Sequence, residues 1–170
     1  RNGIEIIKSD IPVHHYGQLD REEYVAKGDK YYQLGKKKLE EKGEDLDALT
    51  ELAVQAGGEF GKDEEAVDLW KRVLKIDPSN TKALINMGGA LLRLHKYEAA
   101  RTSSKMAMAL APDLKEAIII YATSEVLIGD AGKTIPTLEG LLKKVPEYPL
   151  ALAILAVAYC IEGEREKGLK

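Results

Sequence analysis

Hydrophobic positions in the middle of the chain recur with the phase of a helix. Leu84, Met87, Gly88 and Leu91 fall at i, i+3, i+4 and i+7, one face of a helix. Ile118, Tyr121 and Ala122 repeat that phase, and Leu152, Leu155, Ala156 and Tyr159 repeat it again. A second periodic set runs between them: Ala66, Ala100 and Thr134, then Trp70, Ser104 and Leu138, then Val73, Ala107 and Leu141. Members of each set stand 34 residues apart (100 − 66 = 34; 134 − 100 = 34). Pro78, Pro112 and Pro146 keep the same interval and end the second helix of each pair, which proline cannot continue. Gly61, His95, Gly129 and Gly163 share one phase in the turn between the paired helices, where a helix C-terminus favours a left-handed residue.

Neither helix of a pair can bury its stripe alone, so successive pairs must stack to make a core. The pattern predicts an all-α solenoid of helix-turn-helix units at 47–80, 81–114 and 115–148, with a partial fourth at 149–170. The small residues Gly88, Ala122 and Ala156 let a neighbouring helix approach closely. Upstream, residues 20–46 hold one long helix from Asp20, a candidate N-cap, to Lys42, with Gly43 ending it. Tyr24, Gly28, Tyr31, Gly35 and Leu39 are expected on its packing stripe, and the helix is expected to cap the first unit. Residues 1–19 read differently. Alternating Ile4, Ile6, Ile11 and Val13, with Pro12, are a non-helical, extended leader.

The repeated residues resemble the tetratricopeptide repeat. The match is close at 81–114 and 115–148, good at 149–170, and weaker at 47–80, where Thr50, Ala53, Val54 and Gly57 depart from its first-helix pattern. The resemblance implies a right-handed superhelix whose first helices line a concave, peptide-binding groove. The groove residues it implies are Lys82, Ile85, Asn86, Leu92 and Arg93, then Ile119, Thr123, Val126 and Leu127, then Val157 and Ile161, becoming more apolar toward the C-terminus. Glu51, Gln55 and Glu59 extend this set into the first unit. Some members of the family grip a terminal carboxylate. Here only Lys82 and Asn86 match those positions, and Ile119, Ile120, Ala153 and Ile154 replace the rest, so no carboxylate clamp is expected. The expected ligand is an amphipathic helix, from a partner protein or from self-association.

Composition narrows the function class further. A formal net charge of −3 gives no electrostatic footprint for nucleic acid. No apolar run approaches the roughly 18 residues of a membrane span. The single cysteine, Cys160, excludes an internal disulfide framework and suits a reducing compartment, so the cytoplasm is expected. There is no phosphate loop, no clustered metal-ligand spacing and no nucleophile–base pair, so no cofactor, metal or catalytic residue is expected. Gly57-Gly58-Glu59-Phe60-Gly61 lacks the flanking strand and lysine of a phosphate loop and reads as a helix end and turn.

The leader carries the one hint of an enzyme. The stretch from Ile11 to Asp20, through His14-His15-Tyr16-Gly17, is similar to the end of bacterial family-2 glycosyltransferase domains, some of which continue into such repeats. That resemblance implies an upstream catalytic domain, with the repeats as an accessory module positioning an acceptor or partner, and His15 as a metal-holding residue. A chain starting at Arg1 and stopping inside the fourth unit is expected to be part of a longer protein.

Overall fold

The computed structural model describes residues 21–57, 61–164 and 168, the side chains of 21–25 and 42 excepted. The leader, with His15, lies outside them, as does Glu59. Among the described residues eight α-helices follow in order: α1 (Arg21–Lys42), α2 (Leu46–Ala56), α3 (Asp63–Ile76), α4 (Thr81–Arg93), α5 (Tyr97–Leu110), α6 (Lys115–Ile128), α7 (Ile135–Lys144) and α8 (Pro149–Ile161). The pairs α2/α3, α4/α5 and α6/α7 are the three units, and α8 opens the fourth. Each helix packs on the next, and the first helices also touch along the stack, α4 on α6 and α6 on α8.

The inner positions of the second helices form the core. Ala66, Ala100, Thr134, Trp70, Ser104, Leu138, Val73, Ala107 and Leu141 are all buried. Gly88 lies where α4 meets α6: a Cβ there would stand 3.1 Å from Ile120 Cγ2, tighter than helices ordinarily pack. Caps start the helices where the sequence provides an acceptor. Asp45 accepts from the Ala48 N–H at 2.8 Å and Asn80 from the Ala83 N–H at 3.0 Å. The four same-phase turn residues all have positive φ: Gly61 63°, His95 57°, Gly129 101° and Gly163 81°. The bond that closes three of those turns is also repeated, from the N–H of Lys96 to the Leu91 carbonyl, Asp130 to Glu125, and Glu164 to Tyr159, at 2.9, 2.8 and 2.8 Å. His95 is the one non-glycine in the set, and its ring Nδ1 lies 2.7 Å from the Tyr97 hydroxyl.

Two features differ from the expectation. The stripe of α1 is rotated: Tyr31 is 53% exposed, whereas Tyr32 is 1% exposed and Leu39 is buried with it. The reason is the helical period. At 100° per residue, seven residues from Tyr32 to Leu39 nearly close two turns, while the eight from Tyr31 overshoot by about 80°. Gly35 keeps its expected role, since a Cβ there would come within 2.9 Å of Leu52 Cδ1. Tyr32 and Leu39 stand 34 residues before Ala66 and Val73 (66 − 32 = 34; 73 − 39 = 34), so the buried stripe of α1 has the phase of the second helices. Tyr24's side chain lies outside the described part.

The second difference is in the third unit. Its second helix opens with a 3₁₀ turn, Ala131–Thr134, and α7 has only 10 residues against 14 in α3 and α5. Pro136 stands in the first turn of α7 and has no N–H to bond a carbonyl of the preceding turn. The tighter turn keeps Thr134 buried at its inner position, where its hydroxyl donates to the Ala131 carbonyl at 2.8 Å.

Candidate functional site

The face along which the first helices line up holds most of the residues expected to bind a partner. Lys82, Asn86, Arg93, Leu127, Val157 and Ile161 are exposed, while Ile85, Leu92, Ile119, Thr123 and Val126 are half-buried. The 34-residue phase relates them in rows. Arg93, Leu127 and Ile161 make one row and Gly89, Thr123 and Val157 another, so polarity drops from α4 to α8 at equivalent positions. Leu127, Val157 and Ile161 are 49%, 48% and 54% exposed, a high share for large apolar side chains. Not all of the set faces outward. Leu92 and Ile85 pack against a core group of Val67, Leu91, Ala100 and Ile120, and Ile119 packs against Ile118, Leu138 and Leu141. Gln55, expected beside them in the first unit, turns toward α1: its Oε1 is buried and lies 3.2 Å from where a Gly35 Cβ would be.

Arg93 is committed to an ion pair. Its Nε reaches Asp63 Oδ1 and Oδ2 at 2.9 and 3.0 Å, and a terminal nitrogen reaches Oδ1 at 2.6 Å. Asp63 is buried at the start of α3, so this two-point pair ties the end of α4 to the preceding unit. Beside it, a cavity of about 320 Å³ opens between α2 and α4. Ala53, Val54 and Gly57 of α2, Trp70, Ile85, Asn86, Gly89 and Arg93, and Ile120 of α6 line it. Of the expected set, the structure brings Ile85, Asn86 and Arg93 together here. Val54, Gly57, Trp70 and Ile120 were not read as groove residues. The signal was present in the departures of Val54 and Gly57 from the repeat pattern.

Glu125 on α6 is fully buried, and its carboxylate oxygens make no hydrogen bond of ordinary geometry. Two cations of α5 face it, Arg101 at 3.5 Å and Lys105 at 3.8 Å. Arg101 also pairs with Glu98, and Lys105 lies 5.4 Å from the centre of the Tyr121 ring. Burial, then the Glu125 charge, push the Tyr121 hydroxyl above its usual 10.0. Burial, then the Glu65 carboxylate it faces, push Tyr32 further in the same direction. Both phenols hold their protons more tightly folded than unfolded. Their contribution to stability is therefore complete below pH 10.0 and lost as the pH rises through the raised folded values. Thermal midpoints should fall above about pH 10, and in tyrosinate absorbance the Tyr32 and Tyr121 phenols should ionise only above it. A midpoint flat through that range would overturn this.

Among the described residues, no group of three His, Cys, Asp or Glu side chains is placed to hold a metal ion. No described helix is long and apolar enough to cross a membrane. No known family model matches the chain, and no curated protein matches it in sequence.

Solved structures do match. The structure superposes on MamA with a TM-score of 0.79 at 19% identity, covering 89% of this chain and 90% of that one. MamA from Desulfovibrio magneticus gives 0.78 at 17% identity, over 86% and 82% of the two chains. A tetratricopeptide repeat protein from Parabacteroides merdae gives 0.72 at 17% identity, over 86% of this chain and 57% of that one. At such identities the likeness speaks for the fold, and it agrees with the 34-residue phase, the helix pairs and the buried inner positions: the chain is an α-solenoid of tetratricopeptide-repeat type.

Proposed function

We propose that the chain is a protein-interaction scaffold whose row of first helices receives an amphipathic helix from a partner protein or from a second copy. The observation that supports this is the exposed pair Leu127 and Ile161, at equivalent positions of α6 and α8, with the exposed Val157 one turn before Ile161 on α8. Contiguous apolar surface on a soluble chain usually marks a contact site. An amphipathic helix would present anchors every three or four residues to such a row. Its polar flank would meet the Lys82, Asn86 and Arg93 end, so the polarity gradient also gives the ligand a direction.

The test uses the double variant Leu127→Glu, Val157→Glu. Both side chains are about half exposed, so the substitutions leave the core intact. Light scattering against concentration reads self-association, and fluorescence anisotropy of a labelled leucine–glutamate amphipathic peptide reads helix binding. The expected result is a loss of at least about tenfold in association with an unchanged thermal midpoint, as befits two apolar anchors lost. Equal association by both measurements would overturn the proposal.

A further inference from the structure

Gly57 occupies the position that Leu91, Glu125 and Tyr159 hold in the later units (91 − 57 = 34; 125 − 91 = 34; 159 − 125 = 34). In those units the side chain is buried; Tyr159 fills its place with an aromatic ring. The backbone does not demand glycine at 57, because φ −80° and ψ 150° are open to any residue. The site does not demand it either. A Cβ would meet Ala53 O and Ala66 Cβ at 3.4 Å and the Arg93 guanidinium at 3.8 Å, all ordinary contacts. Gly57 lies one residue past the end of α2, whereas its three counterparts lie inside their helices, and its bare backbone forms part of the wall of the cavity between α2 and α4.

The size and lining of the cavity define what fits. Its volume of about 320 Å³ is roughly twice the ~150 Å³ of an apolar cavity that accepts benzene, so one ring and its attachment can enter. Val54, Ile85, Ile120 and the Trp70 indole give it apolar walls, and Arg93 stands at its edge, where a guanidinium can lie over a ring. Lys82, Asn86, Gly89 and Arg93 follow one another on α4 at i, i+4, i+7 and i+11, and since Asp63 pairs with Arg93, the unpaired cation of this row is Lys82. Arg93 uses Nε and one terminal nitrogen on Asp63, which leaves its other terminal nitrogen toward Gly89, 3.7 Å from a Cβ there. Lys82 is exposed, and no acid among the described residues pairs with it.

We infer that this cavity receives one aromatic side chain of a partner polypeptide, flanked by an acidic residue that meets Lys82. The inference rests on the inner face being an interaction surface, and it names the anchor and its chemistry.

Trp70 is the chain's only tryptophan, so its emission reports directly on the cavity. The probes are a capped peptide with one phenylalanine among four glutamates and the same peptide with alanine in its place. The phenylalanine peptide should shift Trp70 emission and bind at least about tenfold more tightly, the effect of burying one large apolar side chain. Gly57→Leu puts a branched side chain on the cavity wall, and should abolish that preference at an unchanged thermal midpoint. Should Gly57→Leu fold poorly, Val54→Phe fills the same cavity from its half-exposed edge and should have the same effect. Lys82→Glu should weaken both peptides alike. Equal binding of the two peptides, or a preference that survives the filled cavity, would sink the inference. Either result leaves the scaffold reading standing, because that reading is tested at Leu127 and Val157.

Discussion

Replacing Tyr32 with alanine should release α1 from the stack at a cost of about 3–5 kcal/mol, the range for truncating a large aromatic in a core. The ring is 1% exposed and shares a core group with Leu39, Leu49, Leu52, Ala53, Leu69, Trp70 and Val73. Two ammonium groups lie against it, Lys62 at 4.0 Å and Lys36 at 4.8 Å from its centre. Lys36 pairs with Glu65 at 2.8 Å and Lys62 with Asp29 at 3.2 Å, so the same cations bridge α1 to the start of α3. These pairs are partly exposed, and such pairs are worth about 0–1 kcal/mol each. The buried ring therefore carries the docking. The loss should be local, since α1 packs chiefly on α2. Hydrogen exchange should show α1 amides losing protection while those of α4 to α6 keep theirs. Tyr32→Phe keeps the ring and should cost far less. Unchanged protection of α1 in Tyr32→Ala would show that the helix is held by something other than this side chain.

The repeat was legible because each of its signals is local and recurs. Proline at the helix end, a left-handed turn residue and a small residue in the first helix each have a backbone reason, and a fixed interval multiplies them. The place of α1 was less legible because Tyr31 and Tyr32 are adjacent, and choosing between them takes the period of the helix rather than composition. The cavity was hidden for a different reason. Gly57 reads as one turn glycine among several, and only its extended backbone angles show that the turn does not need it. The inner-face residues could be named from their phase. Which of them are free to bind depends on packing across units that no single helix reveals. Leu92 and Ile119 have the phase of surface positions but are partly claimed by neighbouring side chains. Arg93 likewise reads as a groove cation until its partner Asp63, 30 residues earlier, is in view.

Glu125→Leu should raise stability, by about 1–4 kcal/mol, although it removes a residue paired with two cations. The carboxylate is 0% exposed and at an apolar packing position: Leu91 and Tyr159 hold the same phase one unit before and one unit after. Taking a carboxylate out of water costs several kcal/mol, and recovering that cost requires close, well-directed donors. Here Arg101 and Lys105 stand at 3.5 and 3.8 Å, beyond good hydrogen-bond distance, and the Tyr121 hydroxyl, which also faces the carboxylate, closes no bond of ordinary geometry with it. Leucine at 125 strands no charge. Arg101 keeps Glu98, and Lys105 is exposed to water. The opposite change separates the two sides of the balance: Arg101→Met leaves the carboxylate buried with only Lys105 near it, and should lower the midpoint. The Tyr121 phenol supplies an independent reading, because the Glu125 charge helps to hold its proton. In Glu125→Leu that phenol should ionise at lower pH than in the parent, even as the midpoint at neutral pH rises. A lower midpoint in Glu125→Leu would mean that the attraction between Glu125 and the two α5 cations exceeds its desolvation cost. The buried charge would then be holding α5 against α6 rather than straining the contact between them.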